Sequence, residues 1–513
     1  MQDMTFKTPP MEHQLRALEA SRDASAFALV MEQGTGKTKV IIDTAAYLYA
    51  RGRINAVLVL CPSGLQRNWT RKEVDKHLPD HVPRRTFAWT RPPSTKREQR
   101  ALEHLLEPGW DLRVLAMHYE AILTEKAKAY LRRFVSTLNV MIVADESHYL
   151  KNPNAKRTPL AWKIASACPY RRILTGTPIT QGPLDVYGQF RFLEGREQGS
   201  IIPESRYTTF RAQYADTRKI TLEGQGKNGR DIEFEVVENY KNLDELERVL
   251  APYSFRVRKQ DCLDLPDKVY RTRDVEMTAR QRRLYQELLD QGAALLEPQP
   301  GQDPEEALWQ ALTDPDTPAV VAENALSLQM RLQQVLGGYV QPQDDAPLER
   351  IEGPNPRISA VLDEIEAYPV KTVVWCRFRH EVEAVAQAYR DAQGQHGTGY
   401  PVVYHGGVGA DDRWANVQRF QEDPDCRLFV ATPDTGARGI DLYAAGHTIF
   451  FSCSPNYEHR TQAEDRMHRQ GFAGDVPLYT DLQAPDTVDE RVVELLQNKD
   501  RLATAFQWGA GVA

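Results

Sequence analysis

The chain has 513 residues, a length that fits two or three domains. Hydrophobic residues make up 41% and charged residues 26%, which is ordinary for a globular protein. No apolar run reaches the roughly 18 residues of a membrane span, and the six cysteines form no C-x-x-C pair. These features argue against a membrane protein, a zinc site and a disulfide framework, and for a reducing cytosol. Because the net charge is −7, any nucleic-acid surface must be a local basic track.

Two stretches alternate short apolar runs with helical patterns, which is typical of parallel sheets covered on both faces. In the first stretch, from residue 26 to about 177, the predicted strands are 26–30, 56–60, 114–117, 140–144 and 172–174. In the second, from residue 372 to about 482, they are 372–375, 401–404, 428–431, 448–451 and 477–480. The alternation predicts an α/β protein with two parallel-sheet lobes.

The segment between the two stretches is helical and polar, with proline-rich breaks. The predicted domains are an N-terminal lobe over 1–258, a linker with a helical protrusion over 259–355, a C-terminal lobe over 356–490 and a C-terminal helix over 491–513. The first lobe carries an insertion at about 181–256. Within it, alternating residues around a glycine-rich turn predict a β-hairpin at 218–237. Lys227 and Arg230 near the hairpin tip suit a DNA contact, a protein partner or plain decoration of the lobe.

A glycine-rich segment follows the first predicted strand and precedes a helical run over residues 40–49. Its members are Gly34, Thr35, Gly36, Lys37 and Thr38. Here backbone N–H groups and the helix N-terminus can cradle a triphosphate, with Lys37 on the β- and γ-phosphates and Thr38 on Mg²⁺. The first glycine of the complete G-x-x-x-x-G-K-[ST] pattern is replaced by methionine, so a solvated loop is the alternative.

Two adjacent carboxylates, Asp145 and Glu146, directly follow the apolar run 140–144. The carboxyl ends of parallel strands are where α/β proteins bind ligands. One carboxylate can hold Mg²⁺ while the next polarises the attacking water. An acidic turn is the alternative in isolation, but the shared sheet with Lys37 favours a nucleotide site.

These segments, with others in order along the chain, resemble the motif series of helicase superfamily 2. Glycine-rich and acidic segments resemble motifs I and II, and the upstream Gln14 resembles the glutamine that reads adenine. The remaining segments resemble motifs Ia, Ib, III, IVa, V and VI, and they are 61–69, 117–120, 174–178, 402–407, 434–441 and 462–469. The resemblance covers about 480 residues and implies two RecA-like lobes that use ATP and Mg²⁺.

Four details resemble the Swi/Snf-type double-stranded DNA translocases within that superfamily, in the compact form of bacteriophage and bacterial members. They are residues 150–152 after motif II, the linker entry 255–266, motif VI at 462–469 and the C-terminal segment 486–490. Two positions depart from the family pattern. Motif V has Arg438 between Ala437 and Gly439 where the family carries glycine, and Phe472 replaces the glutamine that ends motif VI.

The resemblance assigns catalytic and nucleotide-binding roles to the second lobe as well. Arg466 and Arg469, three apart on a predicted helix, would stabilise charge on the γ-phosphoryl group when the lobes close. Gln462 would place the water or sense the nucleotide, and Gly439 and Asp441 of motif V would contact the cofactor. A solvated helix in which the arginines pair with neighbouring carboxylates is the alternative.

Nucleic-acid contacts are expected from the motifs that touch the DNA backbone in the family. The candidates are Ser63, Tyr119, Arg377, His405, Gly406 and Thr435. Hydroxyls, backbone amides and basic groups suit phosphates, which position a protein without reading sequence. A core tyrosine, a structural histidine and a solvated salt bridge are the alternatives for Tyr119, His405 and Arg377.

The resemblance implies a DNA-dependent ATPase that translocates on double-stranded DNA and remodels DNA structures or protein–DNA complexes. Double-stranded or branched DNA is the expected partner, and recruitment by another protein is left open. A monomer in the bacterial cytoplasm or a phage-infected host is expected. Two other functions stay open: a strand-separating DNA or RNA helicase, and a nucleotide-switched DNA-binding module without turnover. The complete set of Lys37, Asp145, Glu146, Arg466 and Arg469 disfavours the module, because a dead ATPase is expected to lose one of them.

Overall fold

The computed structural model of the chain describes residues 4–180, 182–195, 200–204, 206–222, 232–293, 302–313, 319–341, 347–396, 399–436, 440–472, 474 and 476–505. These residues form two compact units. One contains most of the chain up to residue 264, and the other contains most of residues 265–500. Among the described helices, none is long and apolar enough to cross a membrane.

The first unit is built around a seven-stranded sheet in which every pairing is parallel. Its strand order is β3-β4-β2-β5-β6-β1-β9. Strands β7 and β8 form a separate two-stranded sheet, most of which (residues 217–239) belongs to the second unit. The strands are β1 Ala26–Met31, β2 Ala56–Cys61, β3 Arg84–Trp89, β4 Leu112–His118, β5 Val140–Asp145, β6 Tyr170–Thr175, β7 Ala215–Leu222, β8 Ile232–Tyr240 and β9 Ser254–Val257.

Helices flank this sheet, as the βα alternation predicts. They are α1 Glu12–Ser21, α2 Lys37–Ala50, α3 Val74–His77, α4 Lys96–Glu103, α5 Glu125–Thr137, α6 Arg157–Ala165, α7 Val186–Leu193, α8 Tyr207–Tyr214 and α9 Leu243–Leu250. A π-helix at Asn68–Glu73 leads into α3. All residues of β1, β2 and β5 are buried, which explains why their sequences are continuous apolar runs rather than alternating ones.

The second unit contains a six-stranded parallel sheet of order β10-β17-β16-β13-β15-β14 and a short antiparallel pair, β11 with β12. The strands are β10 Val269–Asp274, β11 Tyr339–Val340, β12 Glu349–Arg350, β13 Thr372–Trp375, β14 Tyr400–Tyr404, β15 Cys426–Ala431, β16 His447–Phe450 and β17 Leu478–Gln483. The helices are α10 Ala279–Ala293, α11 Pro304–Thr313, α12 Ala319–Leu336, α13 Pro356–Ala367, α14 Arg379–His396, α15 Ala410–Glu422, α16 Pro433–Gly436, α17 Tyr457–Met467 and α18 Val488–Ala505.

The predicted fold class of two RecA-like parallel-sheet lobes is confirmed by these two sheets. Two strands of the first sheet, β3 and β9, are absent from the prediction because they lie at its edges and carry arginines. Residues 269–274, which the prediction placed in the linker, form edge strand β10 of the second sheet. The hairpin predicted at 218–237 coincides with β7 and β8, and its turn with Lys227 and Arg230 lies outside the described residues.

The register of the first sheet brings the nucleotide motifs to one edge. Asp145 of β5 lies opposite Leu174 of β6, and Thr175 of β6 lies opposite Val30 of β1. With β6 between them, the ends of β5 and β1 are separated by two strand spacings, about 10 Å. The glycine-rich loop after β1 and the carboxylates after β5 therefore share one edge.

Candidate functional site

The glycine-rich loop joins β1 to α2 through two left-handed glycines. Gly34 has φ of 84° and Gly36, the N-cap of α2, has φ of 88°, a region that favours glycine. The Lys37 ammonium folds back over the loop and donates to the carbonyls of Met31 at 2.7 Å and Glu32 at 3.3 Å. Lys37 therefore already lies across the loop, where a phosphate would replace the two carbonyls as its partner.

Thr35 and Gln14 fix the outer side of this loop. The buried Thr35 hydroxyl donates to the carbonyl of Glu32 at 2.7 Å, which closes the turn. The Gln14 side chain donates from Nε2 to the Thr35 carbonyl at 3.0 Å and accepts from the Met11 backbone N–H at 3.0 Å. Gln14 of α1 thus contacts the loop itself, which places the predicted adenine-reading glutamine beside the predicted phosphate site.

The two carboxylates at the end of β5 have different environments. Trp69 donates its indole N–H to Asp145 Oδ2 at 2.8 Å, and the Tyr119 hydroxyl donates to the Asp145 backbone carbonyl at 2.7 Å. Burial raises the pKa of the Asp145 carboxyl to about 7, and the charge of Glu146 adds to the rise, while Trp69 and Lys37 oppose it. Glu146 adopts a left-handed conformation with φ of 52°, which turns the chain sharply after the strand.

The residues at this edge fit a bound Mg²⁺. The Asp145 carboxylate and the Thr38 hydroxyl offer oxygen ligands, the type that Mg²⁺ prefers. The raised pKa of Asp145 shows that its negative charge is poorly compensated within the protein, and a divalent cation would supply the missing charge. The positive charge of Lys37 lowers the pKa of Asp145 but offsets the effect of burial only in part.

In the second unit, motif VI residues attach to motif V rather than pointing outward. Arg466 is buried on α17 and donates to the backbone carbonyls of Gln462 and Ile440, both at 3.0 Å. Arg469 forms an ion pair with Asp441, and both side chains keep about a quarter to a third of their surface exposed (26% and 32%). Gln462 is buried and donates to the Glu458 carboxylate at 2.9 Å.

The expectation that Arg466 and Arg469 share one helical face is wrong. Helix α17 ends at Met467, and its C-cap His468 has left the helical conformation with ψ of 82°. Arg469 therefore lies in the turn beyond the helix, while Arg466 is turned inward to the carbonyls. The alternative was an ion pair of the arginines with the neighbouring Glu464 and Asp465. Arg469 instead pairs with Asp441. The other motif V residue assigned to the cofactor, Gly439, and its neighbours Ala437 and Arg438 lie outside the described residues.

Three of the residues expected to contact nucleic acid are engaged inside their own unit. Tyr119 is fully buried and stacks on Tyr149 with ring centroids 5.2 Å apart. The expected phosphate contact of Tyr119 is therefore wrong, and the residue packs in the core. His405 is 2% exposed and its Nε2 lies 2.7 Å from the Glu383 carboxylate. Arg377 is half-buried and bonds to Gln333, so neither side chain is presented as a free phosphate ligand.

The other candidates lie at the surface. Ser63 is exposed in the turn after β2, next to the left-handed Gly64. Gly406 is exposed, and the Thr435 hydroxyl is the atom nearest to where its Cβ would lie, at 3.8 Å. Arg379, which the motif analysis gave no role, lies so close to Gly407 that a Cβ there would be 2.3 Å from the guanidinium carbon. An amide, a hydroxyl and a guanidinium therefore meet at one surface of the second unit.

Two family models match the chain over most of its length. The SNF2-related domain matches residues 15–336, and the helicase conserved C-terminal domain matches residues 356–471. The chain belongs to the SNF2-related domain family. The prediction of a Swi/Snf-type member of helicase superfamily 2, with a helicase-type ATPase core, is confirmed by these matches.

Curated relatives of this SNF2-family chain are similar over nearly all of it. An uncharacterized ATP-dependent helicase of Mycoplasma genitalium is 24% identical over 490 residues, 95% of this chain and 40% of that protein. The DNA annealing helicase and endonuclease ZRANB3 of Homo sapiens is 23% identical over 472 residues, 91% of this chain and 37% of that protein. The chain thus spans about two fifths of the length of these relatives.

Solved structures similar to this SNF2-family chain include the SWI2/SNF2 ATPase core of Sulfolobus solfataricus in complex with dsDNA. The identity is 19% and the TM-score 0.40, over 99% of this chain and 95% of that one. The same core domain without DNA in its description gives 19% identity and a TM-score of 0.39, over 98% and 92% of the two chains.

Two residues of this SNF2-family site carry no role in the motif analysis. Trp69 lies within motif Ia without a predicted role, and Gln189 lies outside the motifs. Gln189 is 1% exposed on α7, accepts from the Ser147 hydroxyl at 2.7 Å and donates to the Pro178 carbonyl at 2.6 Å. It therefore links motif II to motif III. A single amide in a helix whose other residues are mostly apolar is the signal that marks it in the sequence.

Gly36→Ala is expected to weaken ATP binding by about tenfold. A Cβ at residue 36 would lie 2.2 Å from Gln14 Nε2, so the substitution must displace Gln14 from the Thr35 carbonyl. Losing a hydrogen bond of about 0.5–1.5 kcal/mol, on top of left-handed strain, corresponds to roughly that factor. Titration with a fluorescent ATP analogue measures the dissociation constants of the variant and of the unaltered protein.

The matched control for this prediction is Gly52→Ala. Gly52 also has a positive φ, 66°, at the far end of α2, but nothing lies within 4 Å of its Cβ position. Both variants suffer the same backbone strain, which thermal unfolding reports, and only Gly36→Ala crowds the loop. Equal ATP affinities for the two variants would contradict the role given to Gln14.

Proposed function

We propose that this chain is a DNA-dependent ATPase that translocates on double-stranded DNA and thereby remodels DNA structures or protein–DNA complexes. The observation that carries the proposal is the arrangement of Lys37, Asp145 and Glu146 at one edge of a parallel sheet. This edge is where such sheets bind phosphates and metal ions. Membership of the SNF2-related domain family supports a helicase-type motor as the user of this site.

In the proposed reaction, Lys37 exchanges the carbonyls of Met31 and Glu32 for the β- and γ-phosphates of ATP. Thr38 and Asp145 would hold Mg²⁺, which neutralises charge on the phosphate oxygens when bound. Glu146 orients the attacking water and accepts its proton. Gln14 adds recognition of the adenine base from its position against the loop.

Motif VI is proposed to add positive charge to that of Lys37. In the proposal, Arg469 exchanges Asp441 for the γ-phosphoryl group and stabilises the charge that develops there. Arg466 acts indirectly, because its two bonds to backbone carbonyls hold the motif V segment near Ile440 in place. Gln462 lies one helical turn before Arg466 and is proposed to sense the nucleotide through this segment.

DNA is proposed to run across surface groups that read phosphates rather than bases. Ser63 in the first unit and Gly406, Thr435 and Arg379 in the second offer hydroxyl, amide and guanidinium donors. Such contacts carry no sequence information, and they release counterions, so binding is expected to fall steeply with salt. The name of the human relative, a DNA annealing helicase, supports DNA over RNA as the track.

A strand-separating helicase is the second candidate, and the β7–β8 hairpin is the observation that favours it. A hairpin projecting at a fork can act as a wedge. The described part of the hairpin offers charge at its base, where Arg218 forms an ion pair with Glu238 at 2.9 Å. Translocation without unwinding is preferred because the details at residues 150–152 and 255–266 resemble duplex-gripping motors.

Two ATP-driven assays on one preparation test the proposal. The protein is expected to displace a third strand from triplex DNA and to leave a simple tailed duplex paired. Duplex or branched DNA is expected to stimulate ATP hydrolysis more than single-stranded DNA or RNA. Robust unwinding without triplex displacement would overturn the translocase and favour the helicase, and removal of residues 218–237 would then abolish unwinding.

A further inference from the structure

Asp145 is held by side chains from two short helical segments, Asn68–Glu73 and Tyr119–Leu123. The Trp69 indole N–H fixes the Asp145 carboxylate at Oδ2, 2.8 Å away, and the Tyr119 hydroxyl fixes the Asp145 backbone carbonyl, 2.7 Å away. Both aromatic residues are almost fully buried, at 3% and 0% exposure. Motif Ia thus holds the side chain of Asp145, and motif Ib holds the backbone of the same residue.

Motif Ia connects the exposed Ser63 to Asp145 through a short hydrogen-bonded segment. Ser63 is exposed, and one turn later the Leu65 N–H donates to the Pro62 carbonyl at 3.3 Å. The Trp69 N–H then donates to the Leu65 carbonyl at 3.0 Å. Two backbone hydrogen bonds in series therefore link the exposed turn to the residue that carries the indole.

The helix that carries Trp69 has an unusual geometry. Residues Asn68–Glu73 form a π-helix, which is rare and occurs mostly as single turns at functional sites. The wider turn rotates the side chains that follow its start relative to those of an α-helix. Trp69 packs in the same apolar cluster as Val74 of α3, and its indole N–H reaches the Asp145 carboxylate at the sheet edge.

We infer that Trp69 is a positioning residue that couples occupation of the DNA-contacting turn at Ser63 to the affinity of the nucleotide site for its Mg²⁺-bound ligand. Phosphate contact at the turn fixes Trp69, and Trp69 fixes the Asp145 carboxylate that would hold the metal ion. Because such coupling is reciprocal, bound Mg²⁺–nucleotide tightens DNA binding by the same factor. The inference rests on the proposed function and specifies how DNA regulates its site.

The test uses equilibrium binding of a fluorescent, non-hydrolysable ATP analogue with Mg²⁺, in the presence and absence of saturating duplex DNA. For the unaltered protein, DNA is expected to tighten analogue binding by at least about fivefold. Trp69→Phe keeps an aromatic ring but removes the N–H donor, and it is expected to bring this ratio close to one. The reciprocal ratio, analogue-dependent DNA affinity, is expected to fall equally.

Trp89→Phe is the matched control. Trp89 is as buried as Trp69, at 1% exposure in the same unit, but its indole N–H has no hydrogen-bond partner in the described part of the chain. Its substitution costs similar packing and is expected to leave the DNA-dependent ratio unchanged. Tyr119→Phe, which removes only the hydroxyl on the Asp145 carbonyl, is expected to reduce the ratio partly.

The outcomes separate the inference from the proposed function. If the unaltered protein shows no DNA-stimulated hydrolysis at all, the proposed function fails. If stimulation is present but Trp69→Phe keeps the full binding ratio, the inference is overturned and the proposed function stands. A loss of the ratio in Trp69→Phe and Trp89→Phe alike would also overturn it, because general loosening of the first unit would then explain the effect.

Discussion

Glu146→Gln is expected to bind ATP normally and to hydrolyse it about 10²–10⁴-fold more slowly, the range that a general base contributes. The substitution keeps the shape of the side chain and removes only its ability to accept a proton from water. The left-handed turn at residue 146 tolerates Gln as it tolerates Glu, because the two side chains branch alike. Steady-state phosphate release, together with analogue binding, measures the separation of binding from chemistry.

Two further variants sharpen this prediction. Lys37→Ala is expected to lose binding as well as turnover, because Lys37 contacts the phosphates themselves. Glu125→Gln removes a carboxylate from the exposed start of α5, where its side chain is 87% exposed, and is expected to leave both unchanged. Turnover of Glu146→Gln within a few-fold of the unaltered protein would show that another group activates the water.

Arg469→Ala is expected to reduce hydrolysis by about 10³-fold or more, the scale of an arginine that stabilises phosphoryl-transfer charge. Affinity for a non-hydrolysable analogue is expected to fall only modestly, since the arginine serves the transition state. DNA affinity and thermal stability are expected to persist, because the Arg469–Asp441 pair is partly exposed and such pairs contribute little to stability.

Arg466→Ala provides the informative contrast within the same motif. Arg466 is buried, and its guanidinium donates to the carbonyls of Gln462 and Ile440, so its truncation removes both hydrogen bonds from a buried site. A destabilisation of about 1–3 kcal/mol is expected, seen as a lower unfolding temperature. Arg491→Ala, on the exposed surface of α18, serves as the neutral control.

Unimpaired hydrolysis by Arg469→Ala would contradict the first of these two predictions and assign the charge-stabilising role to another residue.

The sequence predicts the sheet edges well because local patterns determine them. Continuous apolar runs mark β1, β2 and β5 as buried parallel strands, and residues at their ends must meet at one edge. The direction of a side chain does not follow from such patterns. Arg377 and Tyr119 belong to motifs expected at the surface, yet a Gln333 amide and the Asp145 carbonyl engage them inside.

Contacts across long sequence separations are the part that spacing cannot reveal. Trp69 and Asp145 are 76 residues apart, and Ser147 and Gln189 are 42 apart, so neither hydrogen bond leaves a local periodicity. The end of α17 is similar: the Arg466–Arg469 spacing suits a helix, but the helix stops at Met467. Edge strand β10 also escapes prediction, since only its first two residues, Val269 and Tyr270, are apolar and four polar residues follow them.

Edge strand β10 has a practical consequence for dividing the molecule. Its six residues pair in parallel with β17 from Val269–Leu478 to Asp274–Gln483. Just before it, Lys268 lies 2.8 Å from the buried Glu464 carboxylate of motif VI. A C-terminal fragment cut at residue 356 would therefore expose the unpaired backbone edge of β17 and leave the buried Glu464 carboxylate with only one of its two cations, Arg460. A recombinant second lobe meant to stay monodisperse has to begin upstream of Lys268.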